Sequence, residues 1–218
     1  MVRLAELKAM PPILVACLAI IWPLVLDLQS QTRDLSAVEF HCGEAAITNN
    51  VNAVGLACLG LDLRRGQDMN TPSGRSAHVT AVMRLKFKGL LWTAQECKTL
   101  IWAGRAQTGR SMNNPAGDLR NPKVRNANVQ LFFMVACLLL AWLRGAFSCS
   151  ENPRSSLIKF LSPFRELLSF LGISESVLSY MGGFGASTPK ALHFWGDWPE
   201  IRKLARASGP EAIVGADS

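Results

Sequence analysis

Gly43 and Asp62 are the residues whose types and spacing first suggest a ligand. Ala37–Cys42 (AVEFHC) reads as a buried strand that turns at Gly43–Glu44 into a helix; the helix breaks at Gly55, and a second strand closes on Asp62. A strand turning at glycine into a helix aims the first helical amides at whatever sits above the strand. An acid closing the next strand, about 20 residues on, suits the two hydroxyls of a ribose. Gly43, Glu44 and Asp62 are therefore candidates to hold an adenosine-containing cofactor. Only one glycine of the usual three is present, with Glu44, Ala45 and Ala46 following it, so the same residues also describe an ordinary strand–helix–strand unit. A second concentration of chemistry lies between Gly104 and Asn128. Arg105, Arg110, Arg120, Lys123 and Arg125 stand there against one acid, Asp118. Such a loop suits phosphates held above a sheet; a solvated connection is the competing reading.

The elements that must position these residues follow from periodicity. Thr71 can cap a helix that Pro72 opens, running to about Phe87. Lys88–Gly89 ends it, and GLLWTAQEC reads as a strand buried on both sides. After the irregular basic stretch, Val129–Leu143 is apolar all round, as expected of a helix buried against a sheet. AFSCSENP is the next strand. Residues 155–171 form an amphipathic helix interrupted at Pro163, followed by strands at Val177–Met181 and Ala191–Trp195 around a glycine-rich turn. A closing helix is expected near Pro199–Ala207, with residues 208–218 as a loose tail. Strand–helix alternation over 37–207 predicts an α/β domain, Rossmann-like and doubly wound, with a mainly parallel sheet. Its site would lie at the carboxyl ends of the strands, where Gly43–Glu44, Gln95–Cys97 and Glu151–Pro153 converge.

Composition bounds the rest. Of 218 residues, 49% are apolar, which supports a packed core and excludes a disordered chain. Lysine and arginine outnumber acids by 23 to 16, favouring nucleic acid, phosphates or an anionic membrane face as partners. Six dispersed cysteines, mostly inside apolar runs, read as reduced thiols of an intracellular protein, with Cys97 the one to question. No histidine or cysteine falls at metal-ligand spacing. Residues 1–30 are compositionally separate: Arg3 and Lys8 precede an apolar run over 11–28 that is at the short edge for a membrane span and contains Pro23. No small-x-small cleavage site follows, so a signal peptide is disfavoured. A membrane anchor is the expectation on hydropathy, with a helix lying against the domain as the alternative.

Taken in order, these motifs resemble the cytosine-5 DNA methyltransferase branch of the S-adenosylmethionine-dependent methyltransferases. VEFHCGEAA is similar to the family's first motif, with Glu39 and Gly43 matching it and Ala45 and Ala46 standing where glycine is preferred. GLACLGLD resembles the second, which puts Asp62 at the ribose-binding acid. LLWTAQECKTLIW occupies the place of the Pro-Cys motif, with Gln95–Glu96 before the cysteine, and ENP at Glu151–Pro153 resembles the Glu-Asn motif. MGGFGASTPKALHFWGD is similar to the stretch that follows in divergent, phage-type members.

The resemblance implies S-adenosylmethionine as cofactor, held by Glu39, Gly43, Glu44 and Asp62, and nucleic acid as substrate. It also implies catalytic roles for Cys97 and Glu151. A thiolate adding to C6 of cytosine makes an enamine able to attack the cofactor's methyl, while a carboxyl group pairs with the ring nitrogen. Glu96 beside Cys97 opposes thiolate formation and Lys98 assists it. The matching region spans about residues 37–205 and leaves no room for a separate target-reading domain. A non-catalytic remnant of the fold, binding nucleic acid or a partner through its basic surface, is one alternative function, and a small membrane-anchored protein is another.

Overall fold

The computed structural model describes residues 10–26, 32–184, 187–188 and 190–205. One six-stranded sheet, ordered β2-β1-β3-β4-β6-β5, organises them. Its strands are β1 (Leu35–Phe40), β2 (Cys58–Leu61), β3 (Leu85–Thr93), β4 (Phe147–Pro153), β5 (Val177–Tyr180) and β6 (Ala191–Gly196). The first four are parallel, and β6 runs antiparallel to both β4 and β5. Among the described residues five α-helices of eight residues or more accompany them: α1 (Pro12–Leu26), α2 (Ala46–Ala53), α3 (Pro72–Met83), α4 (Pro122–Leu143) and α5 (Ser162–Phe170).

The winding follows from the crossovers. From β1 the chain passes through α2 to the edge strand β2, then doubles back through α3 to β3 on the other side of β1. Right-handed connections in opposite directions require their helices on opposite faces. Accordingly Ile47 of α2 clusters with Leu90 and Trp92, whereas Val79 and Val82 of α3 cluster with Val38, Phe40 and Leu91. That reversal opens a crevice between β1 and β3 at their carboxyl ends, the switch point of a wound sheet.

The two faces are covered unequally. The α3 face carries the main core and two layers of helix, because α1 lies across α4 and also touches α3 and α5. This double cover explains why α4 is apolar on all sides: Phe133 through Trp142 are buried, between β3 and β4 below and α1 above. By length and composition α4 is the one described helix able to cross a membrane, yet most of that stretch is buried in the domain. The described part of the hydrophobic N-terminal segment, α1, packs against the domain, the arrangement given in the sequence analysis as the alternative to an anchor. Leu14, Cys17 and Ile21 of α1 are fully buried, and burial pushes the Cys17 thiol up to about 11. Residues 1–9 and 27–30 of that segment, and the 208–218 tail, lie outside the described residues.

Several boundaries differ from expectation for physical reasons. Thr71 caps α3 as expected, its hydroxyl accepting from the Gly74 amide at 3.1 Å. The helix stops at Met83, however, because Leu85 already pairs with Leu35. Lys88, expected to end a helix, instead lies inside β3 with φ of 61°, where the register with β1 shifts. The basic segment is shorter than predicted, since Arg105–Thr108 is a helical turn and Asn121 caps α4 seven residues early by accepting from the Lys123 amide at 3.0 Å. The expected closing helix is a short 3-10 segment, Ile201–Leu204, within the described residues.

Candidate nucleoside site at the switch point

Above the crevice lies a hollow of about 310 Å³, lined by His41, Gly43, Asp62, Arg64, Glu96, Lys98 and Gln130 among others. A second hollow of about 330 Å³ shares Leu63, Glu96, Lys98 and Gln130 with it and extends to Asn70 and Lys123. The two form one cleft in the range of small-ligand sites. It is fed by the ends of β1, β2 and β3 and closed on one side by α4.

Asp62 and Gly43 meet directly. The Asp62 carboxylate accepts from the Gly43 amide at 3.0 Å and from the Arg64 amide at 2.8 Å, capping the 3-10 turn Leu63–Arg65. Burial alone would push its carboxyl up, but those two amide donors outweigh it and hold Asp62 below the usual aspartate value. A carboxylate has about four lone-pair sites, so two backbone donors leave capacity for a hydroxyl. The turn itself is unusual: His41, Gly43 and Ala45 all have φ of 48–56°. Gly43 adopts this region freely, whereas His41 and Ala45 are held there by their surroundings. His41 is among the residues lining the hollow, but its Nδ1 is sealed from solvent and has no partner among the described residues. Burial, with His78 close by, depresses its basicity to about 4, against the opposing pull of Asp62 and Glu96.

The other cofactor candidates are used differently. Glu39 is buried, and one of its carboxylate oxygens accepts from the Thr48 amide at 2.8 Å and from the Thr48 hydroxyl at 2.6 Å. Ala45, at the N-cap of α2, offers no side chain for capping, so Glu39 performs that task from the neighbouring strand. Glu44 is exposed and paired with Arg64 at 3.2 Å; it does not line the hollow.

Cys97 and Glu151 lie apart from this lining. Cys97 is half-buried between Glu96 and Lys98, whose charged groups pair at 3.1 Å, so the lysine nearest the thiol is already engaged with the acid. Glu151 shares a sheet face with Glu39, with Trp92 between them on that face. Burial raises its carboxyl above the usual value, Lys190 and Trp92 oppose the rise, and Glu39 adds to it. Next to it, Asn152 reaches toward the cleft. Its amide donates to the Gln95 carbonyl at 3.3 Å, and the Gln95 amide donates to Gln130 at 3.3 Å. Two of the three segments singled out in sequence, Gln95–Cys97 and Glu151–Pro153, are thus joined by side-chain amides, which also tie the first of them to α4. The free oxygens of Gln95 and Asn152, like Nδ1 of His41, are buried without partners among the described residues. Half of the six such atoms therefore collect at the carboxyl ends of β1, β3 and β4.

The basic segment does not assemble into one phosphate surface. Arg110 is 1% exposed, which corrects its assignment to phosphate binding. Its guanidinium donates to the Pro115 carbonyl at 2.5 Å and the Asn128 side chain at 2.8 Å, and burial lowers its basicity to about 10. Gly117 makes this fold-back possible: it has φ of 72°, and a Cβ there would fall 2.7 Å from Cγ of Arg110. Arg120 is clamped to Asp118 at 3.0 and 3.1 Å, and Arg105 lies 4.6 Å over the Trp102 ring. Arg125 is exposed on α4. Lys123 lines the cleft.

Sequence reasoning passed over His41, Arg64, Lys98 and Gln130 as lining residues. Gln130 carried a signal, being a polar residue near the start of the otherwise apolar run Val129–Leu143. His41 had one as well, standing at the end of a buried strand. No protein-family model matches the chain, and no curated protein matches it.

Proposed function

We propose that this chain is an S-adenosylmethionine-dependent methyltransferase-like protein whose cofactor sits in the switch-point cleft, with nucleic acid as its partner. The observation carrying this reading is the hollow at the ends of β1 and β2, lined by Gly43 and Asp62 in direct contact. Asp62 would accept from the ribose hydroxyls, and Gln130 offers a polar contact to the rest of the nucleoside. The resemblance in sequence supplies the choice of S-adenosylmethionine, whose bound form provides an electrophilic methyl group. Lys123 at the cleft supplies a cation toward a phosphodiester chain, Lys98 being paired with Glu96.

A second reading, cofactor binding without cytosine chemistry, rests on a specific feature. Neither Cys97 nor Glu151 lines the cleft, and the Glu96–Lys98 pair leaves the thiol without a dedicated cation. Calorimetric titration with S-adenosylhomocysteine tests the shared part. Binding is expected, weakened about tenfold in Asp62→Ala by loss of a charge-assisted acceptor. Absence of heat at near-millimolar ligand removes both readings. If ligand binds, methyl transfer to cytosine-containing DNA or RNA that is abolished in Cys97→Ala supports the enzyme. Transfer unchanged by that substitution shows a different chemistry.

A further inference from the structure

The half of α1 that faces away from the domain has nothing polar on it. At 100° per residue, Leu14, Cys17, Ile21 and Val25 lie on the inner side, all buried. The outer side carries Pro12, Val15, Ala16, Ala19, Ile20, Trp22, Pro23 and Leu26, an uninterrupted arc of roughly 160°. Val15, Ile20, Trp22 and Leu26 are each about half exposed, at 52%, 46%, 51% and 51%. A helix on the surface of a globular domain normally turns charged or polar residues outward. Here the sequence PILVACLAIIWPLVL offers none for either side.

From this we infer that α1 seats the domain on an anionic lipid surface, lying in the plane of the membrane with its outer half among the lipid headgroups and upper acyl chains. Three observations favour a bilayer over a second copy of the chain. The apolar arc is broader than the stripe that two packed helices share, and it suits a helix half sunk in an interface. Trp22, half exposed at one edge of that arc, is a residue type favoured at the membrane–water boundary. The chain carries a net charge of +7, which repels a second copy and attracts an anionic leaflet. Part of that charge collects at the end of the sheet where β1 begins, seven residues on from Leu26. Arg33 donates to the Arg144 carbonyl there, Arg144 to the Met83 carbonyl, and Lys86 to Ser36, with Asp34 paired to Arg84. At 15 residues α1 is too short to span a bilayer, and its inner half is committed to the core, so the mode is lying on the surface and not crossing it.

Flotation of the full chain with vesicles decides the matter. With an equal mixture of phosphatidylcholine and phosphatidylserine, the protein is expected to float with the vesicles; with phosphatidylcholine alone, binding falls severalfold. Ile20→Gln with Trp22→Gln, on the outward side, should reduce binding about tenfold or more while leaving the thermal unfolding midpoint in place. A readout needing no disruptive change is quenching of tryptophan emission by brominated phosphatidylcholine, expected in the parent chain and reduced in Trp22→Phe. Recovery of the protein away from both vesicle types overturns the inference. So does a dimer in light scattering that the paired glutamine substitution dissolves, which would assign the face to a second copy. Resistance to carbonate extraction with protease protection of residues beyond the helix would show a spanning segment and equally overturn it.

Discussion

The turn after β1 and the segment between α3's strand and α4 both hold groups able to grip an anion or a nucleoside, and the fold leaves them in opposite states. In the first, Gly43 and Asp62 satisfy one another through a single contact and still face a hollow, with His41 Nδ1 left over. In the second, Arg110 turns inward and spends its guanidinium on the segment's own backbone and on Asn128. The difference comes from what each backbone demands. A turn between a strand and a helix satisfies most of its polar groups by local pairing, so side chains remain available. An irregular segment has no ladder to satisfy its carbonyls, and a long cation with five donors is drawn in to do so. Positive charge in an irregular stretch is thus poor evidence of a phosphate site until the carbonyls of that stretch are accounted for.

The most severe way to break this comparison is to remove the inward arginine. Arg110→Met should cost about 3 kcal/mol of stability, because the Pro115 carbonyl and the Asn128 side chain lose their donor in a buried setting. Urea unfolding measures it. A loss under about 0.5 kcal/mol would mean the segment closes without its arginine, and that Arg110 was available for another task after all.

Glu39 sharpens the same point on the opposite side. It was expected at the cofactor, and it caps α2 through Thr48. Glu39→Ala should cost about 2 kcal/mol and loosen α2, seen as faster amide exchange over Ala46–Ala53, since the Thr48 amide then has no acceptor. Glu39→Gln retains an acceptor oxygen and should lose less than half of that. If S-adenosylhomocysteine binds, Glu39→Gln should leave its affinity nearly unchanged, whereas a residue in direct contact would not.

How much of this was legible beforehand depended on whether the signal was local. The mainly parallel α/β sheet, the Thr71 cap and the meeting of the Gly43 turn with Asp62 follow from periodicity and from the fixed hand of crossovers, both of which are properties of short windows, whereas Cys97 and Glu151, expected at the same place, do not line the cleft. The antiparallel placement of β6 between β4 and β5 was not legible, because two short strands separated by a glycine-rich turn pair in either order with equal local merit. Lys88 inside β3 was misread because a lysine followed by glycine usually ends a helix, and only the competition of Leu85 for Leu35 moves the boundary. Gly43 and Asp62 could be found because their roles are set by backbone geometry. The inward turn of Arg110 could not, since it depends on Asn128, 18 residues away along the chain.

A smaller effect separates Asp62 as a turn-former from Asp62 as a ligand. Its folded carboxyl titrates below the ordinary value of 3.8, despite burial, because the Arg64 and Gly43 amides favour the charged form. A depressed folded pKa contributes stability that is complete above the unfolded value and disappears as pH falls through the folded one. The stability gap between the parent and Asp62→Asn should therefore be constant at neutral pH and narrow below about pH 4. Bound S-adenosylhomocysteine should widen the gap at neutral pH, and a gap unaffected by ligand would restrict Asp62 to shaping the turn.

Glu151 gives the smallest expected change and inverts the sign. Burial raises its carboxyl above the ordinary 4.5, with Glu39 adding to the rise and Lys190 and the Trp92 indole opposing it. A raised folded pKa means the native state holds its proton more tightly than the unfolded chain, so stability falls as pH climbs from 4.5 through the folded value and stays lower above it. Glu151→Gln keeps an acceptor for Trp92 and removes the charge. It should match the parent near pH 4 and exceed it slightly at neutral pH, as read from paired thermal melts across that range. A parent that proves more stable than Glu151→Gln at neutral pH would instead make Glu151 a structural partner of Trp92 and Lys190, and would remove it from the chemistry altogether.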